Sequence, residues 1–244
     1  MDSARRVAIV TGASGGIGGS VARRLARDGM AVGVHYSGNE ARARQVVDDI
    51  TGSGGQAIAL RGDVAEEESM VALFDTVERE FGGVDVLVNT AGIMLLSTVV
   101  DLDLDDLDRM HRINIRGTFV VSQQAARRVR SGGAIINFST SVARLQFPTY
   151  AGYAASKGAV NAMTLVLARE LRGKDITVNA VAPGPTATDL FLDGKSDEAV
   201  AALAKAAPLE RLGMPEDIAE AVAFLAGPAR WVNGQVLYVN GGIA

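Results

Sequence analysis

Residues Val10–Gly29 read VTGASGGIGGSVARRLARDG. The run that enters this stretch, Val7, Ile9 and Val10, is apolar and β-branched and predicts a buried strand. Thr11, Gly12, Gly16, Ile17 and Gly18 then make a glycine-rich turn. Val21, Ala22 and Leu25 follow at helical spacing up to a stop at Gly29. Strand, glycine turn and helix start therefore come in that order. Glycine lets a backbone approach a ligand with no Cβ in the way. The unpaired N–H groups and partial positive charge of a helix N-terminus suit a phosphate. The stretch predicts a cradle for a dinucleotide pyrophosphate, with Ser14 inside the turn.

Outward from there, strands and helices alternate. Strands are expected at Ala31–Tyr36, Gln56–Leu60, Val84–Val88, Ala134–Phe138, Ile176–Val181 and Gln235–Val239. Helices are expected at Asn39–Ile50, Glu66–Phe81, across a long region Asp103–Arg130, at Tyr150–Leu171 and at Pro215–Leu225. Such alternation predicts an α/β fold: a doubly wound, Rossmann-type parallel sheet of about seven strands with helices on both faces. The 244 residues suit one domain, 1–244. Only Thr186–Pro208 breaks the rhythm. It follows a strand end, where ligands of open α/β sheets bind, so 186–208 is expected to act as a substrate lid.

Composition narrows the function. The chain is 48% hydrophobic and 21% charged with net charge −4, which supplies a core and no global basic field for nucleic acid. It has no cysteine, so thiol chemistry is excluded. No apolar run spans a bilayer or marks a leader, and a cytoplasmic enzyme is expected. His35 and His111 lack the companions of a metal site, so none is expected.

Two further stretches carry chemistry. At the end of the second strand an acidic residue would bind the ribose hydroxyls of NAD. Tyr36, Ser37, Gly38 and Asn39 stand there instead, with Arg42 close by, and this favours NADP(H) over NAD(H). Tyr153 and Lys157 are one helical turn apart and share a face. An ammonium beside a phenol is expected to lower the phenol's pKa, and a hydroxyl that passes a proton to an alkoxide is what carbonyl reduction needs.

Together these motifs resemble the short-chain dehydrogenase/reductases, ketoreductase-like members included, over the whole length. The Gly12-x-x-x-Gly16-x-Gly18 spacing is the family's. Asp63 and Val64 match its adenine contact, and Asn89-Thr90-Ala91-Gly92 its motif after strand four. Asn114 matches the asparagine of its proton relay, Tyr153 and Lys157 its active pair. Pro183-Gly184-Pro185-Thr186, with Thr188, match the stretch at the nicotinamide end. The resemblance implies NAD(P) binding, hydride transfer between a carbonyl and an alcohol, and a homotetramer or homodimer. Three positions depart from the pattern. Thr140 stands where the family has serine, thirteen residues before Tyr153, so either Thr140 or Ser141 would hold the carbonyl. Thr90 replaces an asparagine, and Gly15 replaces a basic residue often seen with NADP.

Met94, Leu145, Phe147 and Phe191, with Leu95, Leu96 and Leu192, are expected to line a mostly apolar substrate cleft. Arg127, Arg128 and Arg130 are read as the cationic end of a helix. An acidic acyl carrier protein is the alternative partner for them.

Overall fold

The computed structural model describes residues 5–244. Seven parallel strands form one sheet in the order β3-β2-β1-β4-β5-β6-β7. They are β1 (Val7–Thr11), β2 (Ala31–Tyr36), β3 (Gln56–Arg61), β4 (Val84–Asn89), β5 (Val129–Phe138), β6 (Thr177–Pro183) and β7 (Val236–Val239). The helices are α1 (Gly16–Arg27), α2 (Glu40–Gly52), α3 (Glu67–Phe81), α4 (Leu104–Met110), α5 (Gly117–Arg128), α6 (Val142–Leu145), α7 (Ala151–Glu170), α8 (Asp189–Leu192), α9 (Asp197–Ala206) and α10 (Pro215–Ala226).

Each central strand feeds two cores, because successive side chains leave opposite faces. In β1, Ala8 and Val10 pack with α1, α2 and α10. Val7 and Ile9 pack with α3, α5 and α7 on the other face. The edge strand β3 is half exposed along its length, and β7 is also only partly buried. The expectation of strands buried on both faces therefore holds for the middle of the sheet and fails at its edges.

The order reverses between β1 and β4. The chain winds outward through β2 and β3, then returns to start again beside β1. Such a switch point opens a crevice at the carboxyl ends of the strands, where the loops part to opposite faces.

The long helical region expected at Asp103–Arg130 runs over Leu104–Arg128, with a π-helical turn, His111–Arg116, between α4 and α5, and β5 starts at Val129 rather than Ala134. Arg130 is thus a strand residue. Its guanidinium donates from Nε to Asp85 Oδ1 at 2.9 Å and from Nη2 to Asp85 Oδ2, and Asp85 Oδ2 also accepts from the Val7 N–H at 2.7 Å. The register between β4 and β5 shifts at this point. This pairing, between residues far apart in sequence, draws the chain out of the helix early. Arg128 pairs with Asp75 and Glu78, and Arg127 lies 3.9 Å from Glu67. The basic cluster is therefore paired within the chain, Arg127 only loosely.

Because the mostly buried Asp85 serves both Val7 and Arg130, Asp85→Ala is expected to cost about 2 kcal/mol. A lower urea midpoint with an unchanged slope would show it; an unchanged midpoint would contradict it.

Candidate active site

The glycine turn is built by close backbone approach. A Cβ on Gly18 would stand 2.4 Å from the Gly12 carbonyl oxygen, so the first turn of α1 crosses β1's exit as only glycine allows. Gly16 has φ +50, and Thr188, at the start of α8, lies against it. A strut below completes the turn. The Gly12 N–H donates to His35 Nδ1 at 3.2 Å, and His35 Nε2 is 3.1 Å from the Gly62 oxygen. Since Nδ1 accepts, the ring proton sits on Nε2 and is donated to Gly62. Burial pushes His35 down to about 4, while the Gly62 bond and Asp63 pull the other way.

A cleft of about 520 Å³ runs along the carboxyl ends of the strands from β3 to β6. Five strand spacings make it about 24 Å across, enough for an extended dinucleotide. Gly12, Ser14, Gly15, Gly16, Ile17 and Gly18 line it from the turn. Ser37, Gly38, Asn39 and Arg42 line it at one end, beside Asp63 and Val64. Ala91, Gly92, Pro183, Gly184, Thr186 and Thr188 line it toward the other. Such glycine-floored backbone, with a helix start facing it, fits a pyrophosphate.

At that far end Lys157 and Tyr153 meet. Lys157 is 4% exposed, and its Nζ donates to the Phe138 oxygen at 2.9 Å, tying α7 to the end of β5. Nζ is 5.8 Å from the Tyr153 ring centroid. Burial holds the amine down to about 8. It also pushes the Tyr153 phenol up to about 12, against a lowering hydrogen bond with Thr140; Tyr150 adds to the rise. The expected fall in the phenol's pKa is therefore not what the structure gives: desolvation is the largest cause and it acts upward.

The two hydroxyls have different partners. Thr140 lines the cleft beside Tyr153, whose phenol it pulls downward, and its Oγ1 accepts from the Val142 N–H at 3.3 Å. Ser141 Oγ donates to the Ala182 oxygen at 3.1 Å and accepts from Asn240 Nδ2 at 3.1 Å, so it ties β6 to the tail. Asn114 sits in the π turn, fully buried. Its Oδ1 accepts from the Ile93 N–H at 2.9 Å, and its Nδ2 donates to the Ile93 oxygen at 2.9 Å and to Ser156 Oγ at 3.0 Å. A Cβ on Gly92 would lie 3.1 Å from Asn114 Oδ1 and 3.3 Å from Lys157 Nζ.

The matching of this geometry to known proteins is extensive. A family model described as Enoyl-(Acyl carrier protein) reductase matches residues 12–244. A short-chain type dehydrogenase/reductase of Picea abies is 47% identical over 97% of this chain and 92% of that protein. The chain belongs to the short-chain dehydrogenase/reductase family. An NADPH-dependent aldehyde reductase-like protein, chloroplastic, of Arabidopsis thaliana is 41% identical over 98% of this chain and 94% of its own. A short-chain dehydrogenase of Burkholderia cenocepacia, solved with NADP, superposes with a TM-score of 0.92 at 40% identity, covering 99% of this chain and 98% of that one. This short-chain dehydrogenase/reductase is accordingly an NAD(P)-dependent oxidoreductase.

Two expected cofactor residues fall elsewhere. Tyr36 packs its ring into the core beneath α1 and α2 instead of lining the cleft, because β2 alternates and Ser37 takes the open side. Asn89 lies under the floor, where its Oδ1 accepts from Thr11 Oγ1 at 2.6 Å and binds β4 to β1. Asn39 caps α2, accepting from the Arg42 N–H at 3.0 Å, while still facing the cleft. Asp63 accepts from the Ala65 N–H at 2.9 Å and from Arg112 at 2.8 Å, and these bonds hold its carboxyl below the usual range although burial opposes them.

Met94, Leu145, Phe147 and Phe191 all line the cleft; Leu95, Leu96 and Leu192 do not. Tyr150, Leu190 and Leu203 join them and were missed. Tyr150 stands three residues before Tyr153 on the same side, a signal that helical spacing offers.

The His35 strut has a testable cost. The unfolded ring titrates near 6.5 and the folded one near 4, so its contribution is present above pH 6.5 and is lost as pH falls through 4. Over that window the wild-type unfolding free energy should drop about 3 kcal/mol more than that of His35→Asn. Parallel curves for the two proteins would contradict the strut.

Proposed function

We propose that this enzyme is an NADPH-dependent carbonyl reductase acting on a modest, poorly charged ketone or aldehyde. The observation that carries the reading is the half-buried Tyr153 phenol, with Thr140 beside it and the buried Lys157 one turn on, at the mouth of the glycine-floored cleft.

When bound, the dinucleotide supplies the hydride. Gly12, Ser14, Gly16, Ile17 and Gly18 would hold its pyrophosphate, Asp63 and Val64 its adenine. Ser37, Asn39 and Arg42 would meet a 2′-phosphate, while Ala91, Gly92, Pro183, Gly184, Thr186 and Thr188 hold the nicotinamide end. In the proposed reaction Tyr153 gives its proton to the oxygen that hydride arrival leaves charged. Thr140 orients the same oxygen. Lys157 binds ribose hydroxyls and supplies positive charge beside the phenol. Asn114 has committed its amide to Ile93 and Ser156, and its backbone carbonyl accepts from Thr118 Oγ1 at 2.7 Å; the second lone pair of that carbonyl would hold a relay water toward Lys157.

A phenol can give its proton in reduction and take one in alcohol oxidation, so it is the cofactor evidence that ranks the reductase reading above an NAD-dependent alcohol or sugar dehydrogenase. The NADP-bound Burkholderia structure and the NADPH-dependent name of the Arabidopsis relative support the cofactor choice, as does the lack of a carboxylate at Ser37.

Residues 186–208 are proposed as the lid, since α8 and α9 within them put Leu190, Phe191 and Leu203 over the cleft. Met94, Leu145 and Phe147 face them as the substrate wall. Assembly as a homotetramer belongs to the same proposal. Phe119 on α5, Leu165 and Val166 on α7, and the fully exposed Trp231 give it apolar surface to bury. A cytoplasmic site of action is likewise proposed; no described helix is long and apolar enough to cross a membrane.

NADPH oxidation followed across a panel of aldehydes and ketones tests the activity. Tyr153→Phe is expected to lower turnover at least about a hundredfold while NADPH affinity stays within about twofold. Retained turnover in that variant would overturn the assignment of the acid.

A further inference from the structure

Arg42 lies on the first turn of α2, yet it does not point away into solvent. Its Nη1 donates to Asp189 Oδ2 at 2.6 Å, bridging α2 to the lid helix α8 across 147 residues of chain. On the way it passes over Gly15: a Cβ there would stand 3.6 Å from Nη1 and 3.9 Å from Cδ. Gly15 leaves the glycine turn without a side chain, and a guanidinium from the next helix lies above it. Both Arg42 and Asp189 line the cleft, Arg42 near Ser37 and Asn39 in sequence and Asp189 next to Thr188. Thr188, the neighbour of Asp189, rests on Gly16, so the lid's root sits directly on the dinucleotide cradle.

Both partners of the pair are well exposed, with side-chain exposures of 59% and 80%. A pair of that kind is weak and easily exchanged. A phosphate presents more charge than a carboxylate and matches the guanidinium fork as well. The end of β2 is where the ribose 2′ position of a dinucleotide lies in folds of this class.

We propose that Arg42 is a shared cation, for which the lid's Asp189 and the 2′-phosphate of NADP(H) compete. Binding of the phosphorylated dinucleotide takes Arg42 from Asp189 and unlatches α8 from α2. NAD(H), which has no phosphate there, leaves the latch closed. Cofactor choice and lid position are thereby coupled through one side chain. The inference rests on the dinucleotide reading above and adds to it the internal competitor for Arg42.

Equilibrium binding of NADPH and NADH, followed by nicotinamide fluorescence, tests it without any substrate. Arg42→Ala is expected to weaken NADPH about tenfold and leave NADH within about twofold. Asp189→Asn, by freeing Arg42, is expected to tighten NADPH about threefold with NADH unchanged. Trypsin cleavage after Lys195, just beyond α8, should be faster in the wild-type protein saturated with NADPH than with NADH, and equal for the two in Asp189→Asn. If the wild type binds neither dinucleotide, the dinucleotide reading itself fails. If it binds both and Asp189→Asn leaves the ratio of affinities unchanged or shifts it toward NADH, the competition alone is overturned.

Discussion

The bond from Lys157 Nζ to the Phe138 oxygen is the constraint on which the site depends. A buried ammonium has three donors to satisfy and little water to satisfy them. Placing it at the end of β5 fixes the height of α7 against the sheet, and with it the height of Tyr153 one turn earlier. The neighbours conform to that choice. Gly92 is bare because Lys157 and Asn114 close around it. The π turn lets Asn114 reach Ile93 and Ser156 together, so the loop after β4 and the helix carrying the lysine are held by one amide. Such irregular turns are frequent at functional sites, where a ladder position is given up to aim a side chain.

The same burial sets the electrostatics. Desolvation drives the amine and the phenol in opposite directions, each toward its neutral form. A pair so placed keeps the proton on the phenol until a stronger base appears beside it. His35, at the opposite end, shows the same logic used for support: a ring kept neutral by burial can accept from Gly12 and donate to Gly62 at once, which an imidazolium cannot.

Most of the sheet was legible in the sequence, since β-branched runs and helical stripes carry their own periods. The glycine turn, Tyr153 and Lys157 were legible for a related reason: their spacing is local, and local geometry follows from it. What escaped reading was non-local. The start of β5 depends on Arg130 meeting Asp85, and nothing in the run RRVRSGG announces that partner. Asn89 and Tyr36 fit a motif by position, but the strand's alternation turns one under the floor and the other into the core. That Ala182 and Asn240 claim the Ser141 hydroxyl is likewise invisible in the sequence. The sign of the phenol's shift depends on how tightly the corner closes, a property of packing and not of spacing.

The central claim is that hydride moves from a nicotinamide in this cleft to a carbonyl carbon while Tyr153 supplies the proton. Mass spectrometry of the alcohol formed from NADPH deuterated at C4, with each face labelled in turn, tests it most directly. The account predicts one deuterium on the carbinol carbon from one labelled face and none from the other. Alcohol formed with no deuterium from either face, or bound NADPH that no carbonyl compound oxidises, would contradict it.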